Sequence, residues 1–402
     1  MIKPPRTGPL TGMRVIETGT MIAGPVAATL LADFGAEVIK IEQPNGGDPL
    51  RKIGPFVDGE SLYWNVEGRN KKSVTLDLHH AEGQATLREL VKHADLLVEN
   101  FRPGTLSKWN IGYEQLSAVN PRLVMLSVSG FGQTGPNSQR PSYDRIALAF
   151  AGFLNATGFA DRAPVRPGFA VADYQGALFG AFAAMIALYN RDASGGTGQH
   201  IDVSLYETIF RFTDVMLTAY DKSGVTRDRR GNEHFAAAPG DHFQTQSGKY
   251  IALTVPANAM FARLCRAIGR PELEKDPKFD SHATRSANLK EINGIVGAFI
   301  RSTPDDEVRR RFDADGVAYG FVLSVEDIVN DPQYLANESF VTVEHPRMGP
   351  LKMQNVLPRM SGTPSSPINV APELGADTDE VLMSLLGLSA DRIAELRGRG
   401  IC

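Results

Sequence analysis

The sequence predicts an α/β fold built on a parallel sheet with helices on both faces. Three observations carry that expectation. Apolar strand patterns alternate with amphipathic helical ones through the first 130 residues. The strands read as near-continuous Val, Ile and Leu runs, which is how strands buried on both faces look. The strands also end in polar or glycine-rich stretches, Thr18–Gly24, Gln43–Asp48, Asn100–Arg102 and Ser129–Gly132. Ligands in open α/β sheets bind beyond those carboxyl ends.

In chain order, MRVIE (13–17) reads as the first strand, followed by the loop TGTMIAGP and the helix VAATLLADFG. Pro25 is expected at that helix's first position. EVIKIE (37–42) is the second strand and KSVTLDL (72–78) the third, before a helix near 81–93. ADLLVENF (94–101), a helix near 113–118 and RLVMLSVSGFG (122–132) continue the alternation. From about 140 to 190 the pattern is helical, with GFADRAPVRPGFA as a loop between two apolar stretches. HIDVSLYE then reads as a strand and another helix runs to about Ala219.

The composition changes at DKSGVTRDRRGNEH, which is polar and basic. DHFQTQSGKYIALTV reads as a hairpin turning at Ser247–Gly248, and short helices follow, one announced by Thr303 before Pro304. This predicts a smaller second domain at 221–325. Helices at 377–387 and 390–398 close the chain.

With 402 residues, 42% hydrophobic and 22% charged, the chain has the makings of a globular protein of about two domains. A net charge of −4 and a pI near 6.1 argue against a nucleic-acid surface. Cys265 and Cys402 alone provide neither a disulfide framework nor a thiolate metal site, which suits a reducing cytoplasm. The opening MIKPPRTGPLTGMRVIE shows no apolar signal segment. The uncharged run after Asp173 is short for a bilayer span and contains Gln175, so a buried core helix is expected.

A dinucleotide reading of the first βαβ unit, with Glu42 on a ribose, lacks the required G-x-G-x-x-G, because Gly19 and Gly24 lie five apart. The eight histidines are scattered and no G-x-S-x-G is present, so metal and hydrolase readings are weak. Basic residues gather at RNKK (69–72), Arg51, Arg102 and Lys108. They read either as solvated surface or, for Arg102 and Lys108 after a strand end, as contacts for an anionic nucleotide. Asp173 heads an apolar helix and reads as a helix cap or as a reacting group.

The segments AGPVAATLLADFGAEVIKIEQPNGGDPLR, NKKSVTLDL, VENFRPGTL, GFGQTGP, VADYQGALFGAFAAMIALYNR and APELGADTDEVL resemble the family III CoA-transferases in order and across nearly the whole chain. That group includes formyl-CoA:oxalate, acetyl-CoA:oxalate and carnitine CoA-transferases. The resemblance implies a Rossmann-like large domain of residues 1–220 and 326–402, a smaller α+β domain at 221–325, and an interlocked homodimer. It implies a cytoplasmic enzyme with acyl-CoA and a small carboxylic acid as substrates, no tightly bound cofactor, no metal, and no nucleic-acid or membrane partner.

By resemblance, Asp173 is the nucleophile that takes the acyl group as a mixed anhydride and then CoA as a thioester. Ile22, Ala23, Gln43, Leu76, Asn100, Phe101, Arg102, Lys108, Arg140 and Tyr143 fall at CoA-contacting positions. Tyr63, Tyr143 and Asp144 fall around the acyl group. An α-methylacyl-CoA racemase is disfavoured because PSYD stands where those enzymes carry GHD, leaving Tyr143 in place of the histidine. A phenol titrating near 10 is a poor base at neutral pH. A non-catalytic CoA-binding protein is the alternative from another class. Ile22 in place of a glutamine, and the absence of a glycine-rich loop after RRGNEHFAAAPGD, point away from formyl-CoA:oxalate transfer. Another small di- or hydroxy-carboxylate acceptor, with an acetyl- or succinyl-CoA donor, fits as well.

Overall fold

A computed structural model describes residues 7–234 and 236–402. Its central sheet has six strands: β1 (Arg14–Glu17), β2 (Glu37–Glu42), β3 (Lys71–Thr75), β4 (Leu96–Glu99), β5 (Val124–Ser129) and β6 (His200–Ser204). They run in the order β3-β2-β1-β4-β5-β6, every pair parallel. The order reverses between β1 and β4, and the crevice at that reversal is where such sheets hold ligands.

Helices α1 (Ala23–Asp33), α2 (Ala81–Val91), α3 (Asp144–Phe150) and α4 (Val171–Ser194) follow strands or the loops beyond them. α1 and α4 pack against each other on one face, where Gly176 and Gly180 let α4 approach β5 closely. A Cβ on Gly180 would stand 2.9 Å from the Leu126 side chain. The other face is covered by α2 and by two helices of the tail, α5 (Thr378–Leu386) and α6 (Ala390–Gly398), which share a core with Ile16, Ile39, Val74 and Leu97.

The structure differs from the sequence reading in three places. Pro25 is the third residue of α1, because Ile22 supplies the carbonyl that accepts from Val26 N–H and starts the helix earlier. HIDVSLYE splits, its last residues turning into a helix at Leu205–Phe210. α4 is long and apolar enough to cross a bilayer by length and composition, yet only one side of it is buried. Leu178 (53% exposed), Phe182 (63%), Ile186 (52%) and Tyr189 (76%) form an outward apolar stripe at helical spacing.

Close packing divides the chain into two compact units. One takes the chain through Phe153, Arg166–Gly224 and Glu338–Cys402; the other takes Leu154–Val165 and Val225–Asn337. Gly231 N–H donates to the Gly158 carbonyl and Arg229 to that of Asn155, which ties 154–165 into the second unit. Lys249 pairs with Asp327 at 2.8 Å and keeps the 325–330 helix there as well. Within this unit, strands β7 (Gly240–Gln244), β8 (Tyr250–Thr254) and β9 (Tyr319–Phe321) form an antiparallel sheet. Phe243, Ile251 and Leu253 pack one face of it against helices carrying Phe261, Leu264, Val296 and Phe312.

Candidate active site

The loop after β1 is built before the site can be. Lys40 of β2 is fully buried and reaches Glu17 Oε1 at 2.6 Å, Asp48 Oδ2 at 2.8 Å and the Gly19 carbonyl at 2.9 Å. Asp48 Oδ1 accepts from Met21 N–H at 3.1 Å, holding Met21 in the left-handed region at φ 66°. From the β4 side, Asn100 clamps the same loop, donating to the Thr20 carbonyl and accepting from Thr20 N–H, each at 2.8 Å. Gly19 and Gly24 make room for it, since a Cβ on either would stand 3.0–3.3 Å from the Asn100 side chain. The glycines that fail as a dinucleotide fingerprint are therefore seats for an asparagine.

Two neighbouring cavities open at this edge of the sheet. One, of about 370 Å³, is lined by Ile22, Ala23, Arg102, Arg140, Tyr143 and Asp173 among others. Its neighbour, of about 340 Å³, is lined by Gln43, Leu76, His79, Trp109 and Lys40. Thr20 and Phe101 line both. Trp109 meets His79 and Phe101 edge to face, with ring centroids 4.7 and 5.4 Å apart.

Of the residues singled out from the sequence, Ile22, Ala23, Asn100, Phe101, Arg102, Arg140, Tyr143 and Asp173 thus share the first cavity, while Gln43 and Leu76 line the second. Lys108 stands exposed at the end of a short helix, Thr105–Lys108, beside Trp109. Tyr63 and Asp144 line neither cavity. Asp144 is buried, and its Oδ1 accepts from Ala172 N–H at 2.7 Å, fixing the first turn of α4.

The basic cluster resolves into two kinds of residue. Arg69 pairs with Asp33, Lys71 with Glu17, Lys72 with Glu37 and Glu380, and Arg51 with Glu42. Glu42 also accepts from Ser73 and is buried, so it is committed inside the protein rather than offered to a ribose. Arg102 and Lys108 are exposed and make no ion pair among the described residues. Trp109, His79 and Thr20 escaped the sequence reading; only the Asn100 clamp on Thr20 and the edge-to-face ring contacts reveal them. Ser129 and Ser142 line the first cavity too, with hydroxyls lacking a partner among the described residues.

Asp173 sits in the first turn of α4, half-buried, with no side-chain hydrogen bond among the described residues. Burial, and secondarily the charge of Asp144, push its carboxyl up to about 7. A helix start ordinarily favours the ionised form, so desolvation outweighs the dipole here. A carboxylate so placed is desolvated, lines the cavity and makes no side-chain hydrogen bond among the described residues, so it does not cap its own helix. Replacing Asp144 by Asn keeps an oxygen for Ala172 and removes the charge. In ¹³C-carboxyl NMR titration the Asp173 midpoint should then fall, without reaching an ordinary carboxylate value because burial remains. An unmoved midpoint would refute the coupling.

The family model for CoA-transferase family III matches residues 10–378. Succinyl-CoA–D-citramalate CoA-transferase of Chloroflexus aurantiacus is 40% identical over 400 residues, 99% of each chain. The β subunit of succinyl-CoA–L-malate CoA-transferase from the same organism is 42% identical over 399 residues, 98% of each. The crystal structure of a CaiB/BaiF family protein from Brucella suis aligns with a TM-score of 0.84 at 31% identity, covering 94% of this chain and 100% of that one. On a match that runs through nearly all of its length, this chain belongs to CoA-transferase family III.

Proposed function

We propose that the enzyme moves CoA from a succinyl- or acetyl-CoA donor to a small di- or hydroxy-carboxylic acid through covalent intermediates on Asp173. The carboxylate described above carries this reading. The names of the two Chloroflexus relatives, which join succinyl-CoA to citramalate or malate, support the choice of substrates.

In the proposed cycle the ionised Asp173 attacks the donor thioester carbonyl, expelling CoA thiolate and leaving a mixed anhydride. The thiolate attacks the aspartyl carbonyl of that anhydride, releasing the donor acid and forming an aspartyl-CoA thioester. The acceptor carboxylate attacks this thioester and expels the thiolate again. The thiolate then takes the acceptor acyl group from the new anhydride and frees Asp173. Each step exchanges one acyl bond for another of similar energy, which is what a covalent carboxylate contributes.

The acyl-CoA is proposed to lie across both cavities. Its adenine end would rest against Trp109, Phe101 and Leu76 with Gln43 beside it. Its phosphates would meet Arg102 and Lys108, and its thioester would reach Asp173 past Ile22, Ala23, Asn100, Arg140 and Tyr143. Tyr63 and Asp144 would bound the acyl group. The free cations and the ring cluster support this direction. The apolar stripe of α4, with exposed Phe212 in contact with Phe179 of the same helix, supports a homodimer, because contiguous exposed apolar surface of this kind usually marks an interface.

Asp173→Ala should abolish exchange while CoA binding persists, and hydroxylamine should leave an aspartyl hydroxamate at position 173 of the wild type during turnover. Since attack needs the ionised carboxylate and its pKa is pushed up to about 7, kcat/KM for acyl-CoA should rise with pH through that value and level off above it. Near wild-type turnover in the alanine variant would refute the covalent route.

Arg102→Ala and Lys108→Ala should each raise the KM for acyl-CoA about tenfold, as loss of a charge-assisted contact does, and salt should weaken binding to the wild type. An unchanged KM in both returns these cations to plain surface. Light scattering should give the mass of a dimer. Phe182→Asp combined with Ile186→Asp should lower it or drive the protein into aggregates. A wild-type monomer at micromolar concentration would refute the dimer.

A further inference from the structure

Six serines are buried among the described residues, and five of their hydroxyls are engaged. Ser61 donates to the Ile53 carbonyl, Ser73 to Glu42 Oε1 at 2.6 Å and Ser204 to Glu207. Ser127 is hydrogen-bonded to His200 Nε2 at 2.8 Å, and Ser366 accepts from Thr7 N–H at 3.4 Å. Ser129 is the exception. It is 8% exposed, and its hydroxyl has no partner among the described residues. Of the six, it is also the one that lines the cavity holding Asp173.

Its place follows from the sheet. Ser129 is the last residue of β5 and stands in register with Ser204, the last of β6. At Ser204 the chain turns straight into the helix Leu205–Phe210, whose first turn supplies Glu207 as a partner. β5 runs instead into Gly130, which has no side chain to offer. The loop bearing Arg140 and Tyr143 packs onto that glycine, where a Cβ would stand 2.1 Å from the Ser142 Cβ. The wall beside Ser129 thus has little room to shift, and the hydroxyl can move only by turning about its own side-chain bond.

A hydroxyl shielded from water and left unpaired costs stability unless something else supplies its partner. The proposed path of the acyl-CoA says what that is. Its phosphates are placed at Arg102 and its thioester at Asp173, and both residues line the cavity with Ser129. The portion of the molecule that joins those two ends is the pantetheine arm. Its polar groups are secondary amides and a hydroxyl, all uncharged. An anion would be better served by the guanidinium of Arg102 or Arg140. An amide leaving water needs a neutral partner, and a serine can either donate to its carbonyl or accept from its N–H.

We propose that Ser129 determines specificity for the donor: its hydroxyl pairs with an amide of the pantetheine arm and so favours thioesters that carry that arm. The proposal rests on the reading of this cavity as the path of the acyl-CoA.

Binding calorimetry on the whole protein tests it, with CoA and with adenosine bisphosphate, which keeps the nucleotide end and lacks the arm. Ser129→Ala should raise the Kd for CoA about 2- to 10-fold, the worth of one neutral hydrogen bond, and leave that for adenosine bisphosphate unchanged. In turnover the loss should fall on the KM for acyl-CoA rather than on kcat. The ligand-free variant should melt no lower than the wild type, since its hydroxyl has no protein partner to lose. A fall of several degrees, or failure to fold, would make the hydroxyl structural and overturn the proposal. Weaker binding of both ligands, or a loss confined to kcat or to the KM of the acceptor acid, would overturn it as well. A wild type that binds no CoA refutes the acyl-CoA path and Ser129 with it. Wild type and variant binding CoA alike refutes Ser129 alone.

Discussion

The buried ammonium of Lys40 is the interaction on which the rest of this site depends. Two ammoniums and three carboxylates, Lys40, Lys71, Glu17, Glu42 and Asp48, are sealed beneath the start of α1. Taking such groups out of water is costly, and the cost is offset only when nearly every proton and lone pair finds a partner. Here burial would lower the Lys40 pKa, but Glu17, Asp48 and Glu42 together raise it. Burial wins at Lys71, whose pKa is lowered although Glu17 and the Pro25 carbonyl hold it. Removing one member of such a cluster leaves the others unpaired, which typically costs about 3–5 kcal/mol.

The cluster does more than hold the sheet together. Lys40 fixes the Gly19 carbonyl, Asp48 fixes the Met21 amide, and Asn100 fixes Thr20 between them. A loop pinned at three successive residues from two strands is a rigid wall, and it is the wall that both cavities share. Rigidity suits the proposed exchange through anhydrides, in which the thiolate and the two acids would trade places without admitting water.

Charge is distributed with the same selectivity. Arg51, Arg69, Lys71 and Lys72 are neutralised by acids within the fold, which leaves Arg102 and Lys108 as cations available at the sheet edge. Opposite them, Asp173, Asp144 and Glu67 crowd one region around the first turn of α4. Burial, and secondarily the charge of Asp144, raises Asp173 above ordinary carboxylates, and burial, with a smaller push from Asp33, raises Glu67. Asp144 escapes into a hydrogen bond with the Ala172 amide. Similar groups in slightly different surroundings thus come to differ in the partners they hold.

The sheet was legible in the sequence because parallel strands are buried on both faces, so EVIKIE and RLVMLSVSGFG betray themselves by composition alone. The positions of Asp173, Arg102 and Asn100 at helix starts and strand ends were likewise legible, since strand–helix alternation fixes which ends gather at one edge. Element boundaries were less so: Pro25 was placed two positions too early in its helix because the Ile22 carbonyl, rather than a propensity, begins α1, and the helix at Leu205–Phe210 was read as strand. What the sequence could not hold was pairing at long range. Nothing local to RNKK says that Asp33 takes Arg69, or that Glu17 takes Lys71. Nothing local to Gly19 says that an asparagine eighty residues on fills its missing Cβ. Nor does VADYQG disclose that its tyrosine reaches Glu67, or that its aspartate is desolvated enough to titrate near 7. Local order follows from side-chain shape and hydrophobic period, which each residue carries with it; ionisation and hydrogen-bond direction follow from neighbours, and only the folded chain chooses those.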